Sequence, residues 1–263
     1  MTDEPNQQPP AHKPKLTREA RQRRRTVYLL PNLLTTTALF AGFYAIIAAI
    51  EGQFSQAAIG IFVALLFDGL DGRVARWTNT QSEFGANYDS MSDLIAFGLA
   101  PALVAYFWAL ESLGEMGWGA AFVYTAATAL RLARFNVQLG SVDKKFFIGL
   151  ASPAGAAVIA GTVWAFDAMG FVGQSLAWMM LILVPLVGGL MVSNIRYYSF
   201  KDLSLQGRIP FTAVLGIIAA FVIIALDPPL ILLLLVLSYA VSGPILELWR
   251  KLRRTGSDVP PTH

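Results

Sequence analysis

Cysteine is absent from this chain of 263 residues, and histidine occurs only at His12 and His263. The missing cysteine excludes disulfides, thiolate nucleophiles and metal bound through sulfur. Both histidines lie in the terminal tails, so acid–base chemistry within the fold must rely mainly on carboxylates. Charged residues are also scarce, at 14%, where a soluble domain usually has about a quarter.

Hydrophobic residues make up 55% of the chain and fall in long unbroken runs. Runs of about 20 apolar residues are long enough to cross a bilayer as helices. Eight such runs lie at 27–50, 54–76, 84–109, 117–137, 147–167, 174–194, 209–226 and 229–248. The connections between them are short, so we predict one all-α polytopic membrane domain, residues 27–248, with about eight transmembrane helices.

The tails complete the predicted organisation. Residues 1–26 should form a disordered tail and a basic interfacial helix on the inner leaflet, although the same basic residues would also serve as a topology signal alone. Residues 249–263 should form a cytoplasmic tail.

The distribution of charge predicts the orientation of the spans. With eight spans, all 20 Lys and Arg residues fall on one side of the membrane, in the tails, in the connections or at the ends of the spans. The connections on the other side contain acidic residues and no basic ones. Because basic residues collect on the cytoplasmic side, we expect both termini to be cytoplasmic.

Four aspartates lie at the predicted inner ends of the second and third spans. Asp68 and Asp71 are three residues apart, and Asp89 and Asp93 are four apart, so each pair shares one helix face. Only a short turn joins the two spans, which places the pairs near each other. Thr80 and Glu83 in that turn have the spacing of a capping box, which predicts that the third helix begins near Gln81.

This acidic quartet favours a metal site. Ionisable groups in the membrane cost at least ~2.5–3.5 kcal/mol each, and oxygen ligands without histidine or cysteine suit hard cations such as Mg²⁺, Mn²⁺ or Ca²⁺. One or two divalent ions would neutralise the quartet. Alternatively, the aspartates are solvated residues paired with Arg73 and Arg76.

Glycines accompany the aspartates on both helices. Glycine weakens a helix by up to ~1 kcal/mol relative to alanine. The presence of glycine within these helices therefore needs an explanation, at Gly69, Gly72 and Gly85. Close helix packing is one, and room for a ligand beside the metal is the other. The two explanations carry equal weight for Gly69, and we favour the ligand for Gly72 and Gly85.

Residues 68–93 resemble the signature of the CDP-alcohol phosphotransferase family of membrane enzymes, D-x-x-D-G-x-x-A-R, eight residues, then G-x-x-x-D-x-x-x-D. The resemblance implies six core helices, here followed by two C-terminal ones, a cytoplasmic site in a prokaryotic inner membrane, and a homodimer. It implies that Asp68, Asp71 and Asp89 hold divalent metal (Mg²⁺ or Mn²⁺). Asp93 would join the metal site and act as the general base. The residues implied to border the nucleotide lipid CDP-diacylglycerol are Gly72, Ala75, Arg76 and Gly85.

The acceptor is predicted from other segments. The stretches "LLPNLLTTTALFAGF", "RLARFNV" and "KKFFIGLASPAG" resemble the branch of the family that transfers the phosphatidyl group of CDP-diacylglycerol to L-serine, releasing CMP. That branch commonly has proline where this chain has Ala151. The predicted residues for serine or phosphate are Arg131, Arg134, Asn136, Lys145 and Ser152.

Three alternatives stay open. The two arginines would bind a carboxylate or phosphate bidentately, or would only anchor the inner membrane face. The acceptor would instead be glycerol 3-phosphate or inositol phosphate. A third alternative, from another functional class, is a divalent-cation transporter that uses the aspartates as a transport site. Against it, the four acids cluster at one membrane face.

Overall fold

A computed structural model describes residues 18–138, 146–198 and 211–255. The helices are α1 (Arg18–Ile50), α2 (Phe54–Trp77), α3 (Glu83–Asp93), α4 (Ala100–Trp108), α5 (Glu115–Gln138), α6 (Ser152–Ala168), α7 (Ala177–Val192), α8 (Phe211–Leu226) and α9 (Pro228–Thr255). A π-helical turn, Leu94–Leu99, joins α3 to α4, and 3-10 turns at Leu110–Leu113 and Gly173–Leu176 precede α5 and α7. Two short strands are β1 (Phe146–Ile148) and β2 (Arg196–Tyr198).

The predicted all-α membrane class is confirmed, and each of the eight predicted apolar runs contains a helix. Four described segments are long and apolar enough to cross a membrane: Leu29–Ile50, Glu83–Trp108, Gly173–Val192 and Pro228–Trp249. The count of eight spans stays a prediction. So does the division into tails and membrane domain, although α1 continues without interruption from the basic segment into the apolar run.

The fifth predicted span begins later than the sequence indicates, at Ser152 and not at residue 147. Residues Phe146–Ile148 instead pair antiparallel with β2, with Phe147 opposite Tyr197. Gly149 ends the strand with a φ of +79°, which favours glycine. A side chain there would also clash with the Met191 carbonyl oxygen.

Small residues allow the helices near the site to pack closely. The α1–α2 interface buries alanines on both helices, among them Ala41, Ala45 and Ala58. A Cβ at Gly42 of α1 would lie 2.7 Å from the Ala96 Cα in the π-helical turn. Close approach through small residues is typical of helix contacts in membranes, and here it holds α1 against α2 and against the π-helical turn that follows α3.

The last helix packs against β2 at similarly short range. The Tyr197 side chain is buried, and its hydroxyl donates to the Ala240 carbonyl of α9 at 3.0 Å. A Cβ at Gly243 would lie 2.5 Å from atoms of the Tyr197 ring. The contact therefore depends on glycine at this position, and it ties α9 to the two-stranded sheet.

Ala151, at the position where the resemblance leads us to expect proline, has a φ of −62° and a ψ of 137°. Proline adopts the same backbone conformation, so the loop at Ala151 has a shape that is compatible with either residue. Replacing Ala151 with proline should stabilise the protein by about 0.4–1 kcal/mol, because it restricts the unfolded chain. Thermal unfolding in detergent measures the change.

Ala109 is the matched control, because its φ of −133° is incompatible with proline and its N–H donates to the Ala105 carbonyl. Ala109→Pro should lower the melting temperature. A lower melting temperature for Ala151→Pro as well would contradict the interpretation of this loop.

Candidate metal and catalytic site

Three aspartates from two helices converge at the site. Asp68 and Asp71 lie on α2 and Asp89 lies on α3. One carboxylate oxygen from each lies within 4.8 Å of the others. Asp71 is buried, and the other two are half-buried. Three converging carboxylate oxygens fit a hard divalent cation, so these residues can hold the predicted metal.

Asp93 lies beside this group. Its carboxyl group forms a hydrogen bond with that of Asp68 and interacts electrostatically with Asp71 and Asp89. All four predicted acids are therefore neighbours, with three in position to share an ion and the fourth in contact with one of them. Whether Asp93 itself binds metal stays a prediction.

The start of α3 differs from the predicted capping box. The N-cap is Ser82, whose hydroxyl accepts a hydrogen bond from the Gly85 N–H at 3.0 Å. Thr80 instead shares a hydrogen bond with the Thr78 hydroxyl at 2.7 Å. The prediction that Thr80 caps the helix was wrong, because Thr80 belongs to the turn that ends α2.

The structure separates the explanations for the three glycines. Outside the nearby backbone of α2 itself, no atom of the described residues lies within 4 Å of a Cβ at Gly69, and at Gly72 the nearest is the Arg76 Nη1 at 3.8 Å. Close packing therefore does not explain either glycine, and both leave open space beside the acids. Gly85 differs, because a Cβ there would lie 3.1 Å from the Ser82 hydroxyl that caps the helix.

The remaining two predicted nucleotide contacts also lie at the end of α2. Ala75 is half-buried and follows Asp71 by one turn, whereas Arg76 is exposed in the last turn. Their positions border the open space at Gly72, and their contact with a nucleotide stays a prediction.

Helix α1 contributes residues that the sequence analysis missed. The buried Thr35 hydroxyl donates to the Asp71 Oδ2 at 2.6 Å, and the Thr35 carbonyl accepts from the Ser92 hydroxyl at 3.2 Å. Thr36 shares a hydrogen bond with the Tyr88 hydroxyl at 2.9 Å. Three consecutive threonines in an otherwise apolar helix were the available signal. Thr35 orients one of the three converging carboxylates.

An apolar groove lies on α1 next to these contacts. Its volume is about 510 Å³. The residues that line it are Leu29, Leu30, Asn32, Leu33 and Thr36. Because Thr36 contacts Tyr88, the groove is close to the middle of α3.

Arg131 makes contacts that neither prediction for it anticipated. It is buried, and its Nε donates to the Leu150 carbonyl at 2.6 Å while its Nη1 donates to the Ser152 hydroxyl at 3.2 Å. It also interacts electrostatically with Asp93. Arg131 therefore fixes the loop before α6 while lying near the acids.

Arg134 binds the backbone more extensively. Its Nη2 donates to the Ile148 carbonyl at 2.9 Å, and its Nη1 donates to the Val192 carbonyl at 3.2 Å. It joins β1 to the end of α7, which is a structural role whether or not it also contacts a substrate.

The other residues of the predicted serine pocket do not lie together in one place. Asn136 and Ser90 exchange hydrogen bonds at 3.0 and 3.2 Å, which link α5 to α3 next to Asp89. Ser152 accepts from Arg131 at the start of α6. Lys145 lies outside the described residues.

Together these contacts provide a carboxylate cage for a cation, a further carboxylate beside it, and a buried guanidinium nearby. Such a combination suits the transfer of a phosphorus-centred group, which needs neutralised charge and a base within reach of the attacking hydroxyl.

Comparison with known proteins agrees with this chemistry. The sequence model of the CDP-alcohol phosphatidyltransferase family matches residues 28–187. The chain is 42% identical over 175 residues to a CDP-diacylglycerol–serine O-phosphatidyltransferase of Helicobacter pylori, an alignment that covers 66% of this chain and 74% of that protein.

Two further relatives come from other groups of organisms. A protein of the same name from Mycobacterium leprae is 34% identical over 237 residues, covering 87% of this chain and 78% of the relative. An archaetidylserine synthase of Methanothermobacter thermautotrophicus is 37% identical over 170 residues, covering 64% and 69%. The chain therefore belongs to the CDP-alcohol phosphatidyltransferase family.

Proposed function

We propose that this membrane enzyme transfers the phosphatidyl group of CDP-diacylglycerol to L-serine, which gives phosphatidylserine and CMP. The observation that carries the proposal is the convergence of Asp68, Asp71 and Asp89 with Asp93 beside them. The names of the relatives support serine as the acceptor.

The reaction exchanges one ester at phosphorus for another. The serine hydroxyl oxygen forms a bond to the lipid-side phosphorus, and the bond from that phosphorus to the oxygen of CMP breaks. Asp93 accepts the hydroxyl proton, and CMP departs. A divalent cation held by Asp68, Asp71 and Asp89, one ion or two, would neutralise the diphosphate oxygens and the leaving group.

Other residues bind and orient the substrates. The open space at Gly69 and Gly72 accommodates the nucleotide, and the apolar groove on α1 accommodates an acyl chain of the lipid. Arg131, near Asp93, orients the serine carboxylate with the N–H groups that do not bind Leu150 or Ser152. Arg134 holds the surrounding backbone.

The side of the membrane on which the site lies follows from the predicted topology. We propose a cytoplasmic site with both termini on the same side, because the basic residues of this chain fall on the side where the aspartates lie. The homodimer and the choice between Mg²⁺ and Mn²⁺ stay predictions.

The acceptor is tested by CMP release from CDP-diacylglycerol by the purified protein. We expect release with L-serine and none above background with glycerol 3-phosphate or inositol phosphate. Activity with either of these acceptors but not with serine would overturn the assignment of serine as the acceptor. The proposed transfer chemistry would still stand. Movement of metal across sealed vesicles without the lipid would support the transporter instead.

Replacing Asp93 with asparagine removes the proposed base while keeping a polar side chain of similar size. We expect turnover to fall by about 10²–10⁴-fold, with Mn²⁺ binding partly retained, as measured by electron paramagnetic resonance. The matched control is Asp167→Asn, since Asp167 accepts a hydrogen bond from Ser55 away from the acids. Full activity of Asp93→Asn would remove Asp93 as the base.

Replacing Thr35 with valine deletes the hydroxyl that orients Asp71 at nearly constant volume. Because partners of metal ligands typically contribute 10–100-fold to metal affinity, we expect Mn²⁺ binding to weaken by about that factor. Thr37→Val is the control, because the Thr37 hydroxyl donates to the Leu33 carbonyl and has no carboxylate partner in the described structure. Equal affinity in the two variants would contradict the role of Thr35.

A further inference from the structure

The segment between α3 and α4 departs from regular helix directly after Asp93. Leu94–Leu99 form a π-helical turn, and the Ala100 N–H bonds to the Ile95 carbonyl, five residues earlier and not four. Such turns insert one residue into an α-helix and are frequent at functional sites. Each residue of an α-helix turns by about 100°, so the insertion changes the direction of Asp93 relative to α4.

Two residues account for the hydrogen bonding of the turn. Pro101 has no N–H, so the Phe97 carbonyl cannot receive the donor that a regular α-helix would supply. The Tyr124 hydroxyl on α5 donates to that carbonyl instead, at 2.8 Å, and Tyr124 is fully buried. A buried carbonyl left without a donor would cost about 1–3 kcal/mol, so the tyrosine is integral to this turn.

Thr128, four residues after Tyr124 on the same face of α5, also packs against the π-helical turn. A Cβ at Gly98 would lie 3.2 Å from the Thr128 Cγ2. Helix α5 thus contacts the π-helical turn through both Tyr124 and Thr128, which fixes the turn against a neighbouring helix.

Loss of the inserted residue would turn α3 and not α4. Helix α4 is buried on most sides, through residues that include Ala100, Val104 and Ala105. In α3 only Ser92 is buried. The π-helical turn therefore contributes to where the α3 carboxylates point, together with the hydrogen bonds of α3 to α1 and α5, and Asp93 lies directly next to the turn.

We propose that Tyr124 is a positioning residue for Asp93: its hydroxyl holds the Phe97 carbonyl in the π-helical turn and so directs the Asp93 carboxyl group toward Asp68. This inference rests on the proposed function for its kinetic consequence, because Asp93 is there the proton acceptor. Tyr124 contacts neither substrate nor metal in this proposal and acts only through the backbone.

The kinetic test uses Tyr124→Phe, which removes only the hydroxyl. Because small displacements of a catalytic group cost up to about 10²-fold, we expect kcat to fall by roughly ten- to a hundredfold. The KM values for serine and CDP-diacylglycerol should stay close to those of the wild type, since the substrate contacts are intact.

Tyr197→Phe is the matched control. Tyr197 is equally buried, and its hydroxyl also donates to a backbone carbonyl, that of Ala240 on α9. This variant should lose comparable thermal stability and keep its kcat. The same loss of kcat in both variants would overturn the proposal.

A structural test does not depend on activity or metal. The chain has no cysteine, so the variant Asp68→Cys/Asp93→Cys carries only two thiols, which the fluorogenic crosslinker dibromobimane can bridge. We expect Tyr124→Phe to reduce the crosslinking and Tyr197→Phe to leave it unchanged. Unchanged crosslinking in the Tyr124→Phe background would overturn the positioning role.

The double variant Tyr124→Phe/Pro101→Ala separates positioning from simple stability. Alanine restores an N–H that can bond to the Phe97 carbonyl in α-helical register, so thermal stability should recover while kcat and crosslinking fall further. Recovery of kcat together with stability would overturn the proposal. If the wild-type protein releases no CMP, the proposed function fails, whereas the crosslinking still decides the role of Tyr124.

Discussion

Mutual repulsion among clustered carboxylates is the constraint on which the arrangement of this protein depends. Two unit charges 4.8 Å apart, the outer limit for the three converging oxygens, repel by roughly 3 kcal/mol at an effective dielectric constant of about 20. Such a cluster forms only if the helices are packed firmly enough to hold it and if positive charge offsets it. The close contacts of α1 with α2 and the π-helical turn supply the first condition, and a cation held by the three aspartates would supply the second.

Much of the site could be predicted because it depends on local spacing. Three- and four-residue intervals place Asp68, Asp71, Asp89 and Asp93 on shared faces whatever the rest of the fold does. The apolar runs likewise predicted where helices form, because length and hydrophobicity suffice. The resemblance to the family also lay in this spacing, and the match to the family model confirms it.

What the sequence did not reveal depends on contacts between distant segments. Thr35 reaches Asp71 only because α1 packs against α2, and strand β1 forms only because β2 lies beside it. The arginines seemed available for a ligand because their carbonyl partners are far along the chain. The start of α3 was predicted incorrectly for a local reason. Thr80 and Ser82 are both acceptable N-cap residues, but Thr80 bonds to Thr78 at the end of α2, which leaves Ser82 as the cap.

The contact between Gly243 and the Tyr197 ring has a consequence for how distant sequence changes reach the site. Any side chain at position 243 would displace Tyr197, which pairs with Phe147 across the sheet. The next residue of that strand, Ile148, provides a carbonyl that Arg134 holds. The final helix and the loop that Arg134 binds are thus linked through the two-stranded sheet. Sequence variation in one therefore limits the variation that the other tolerates.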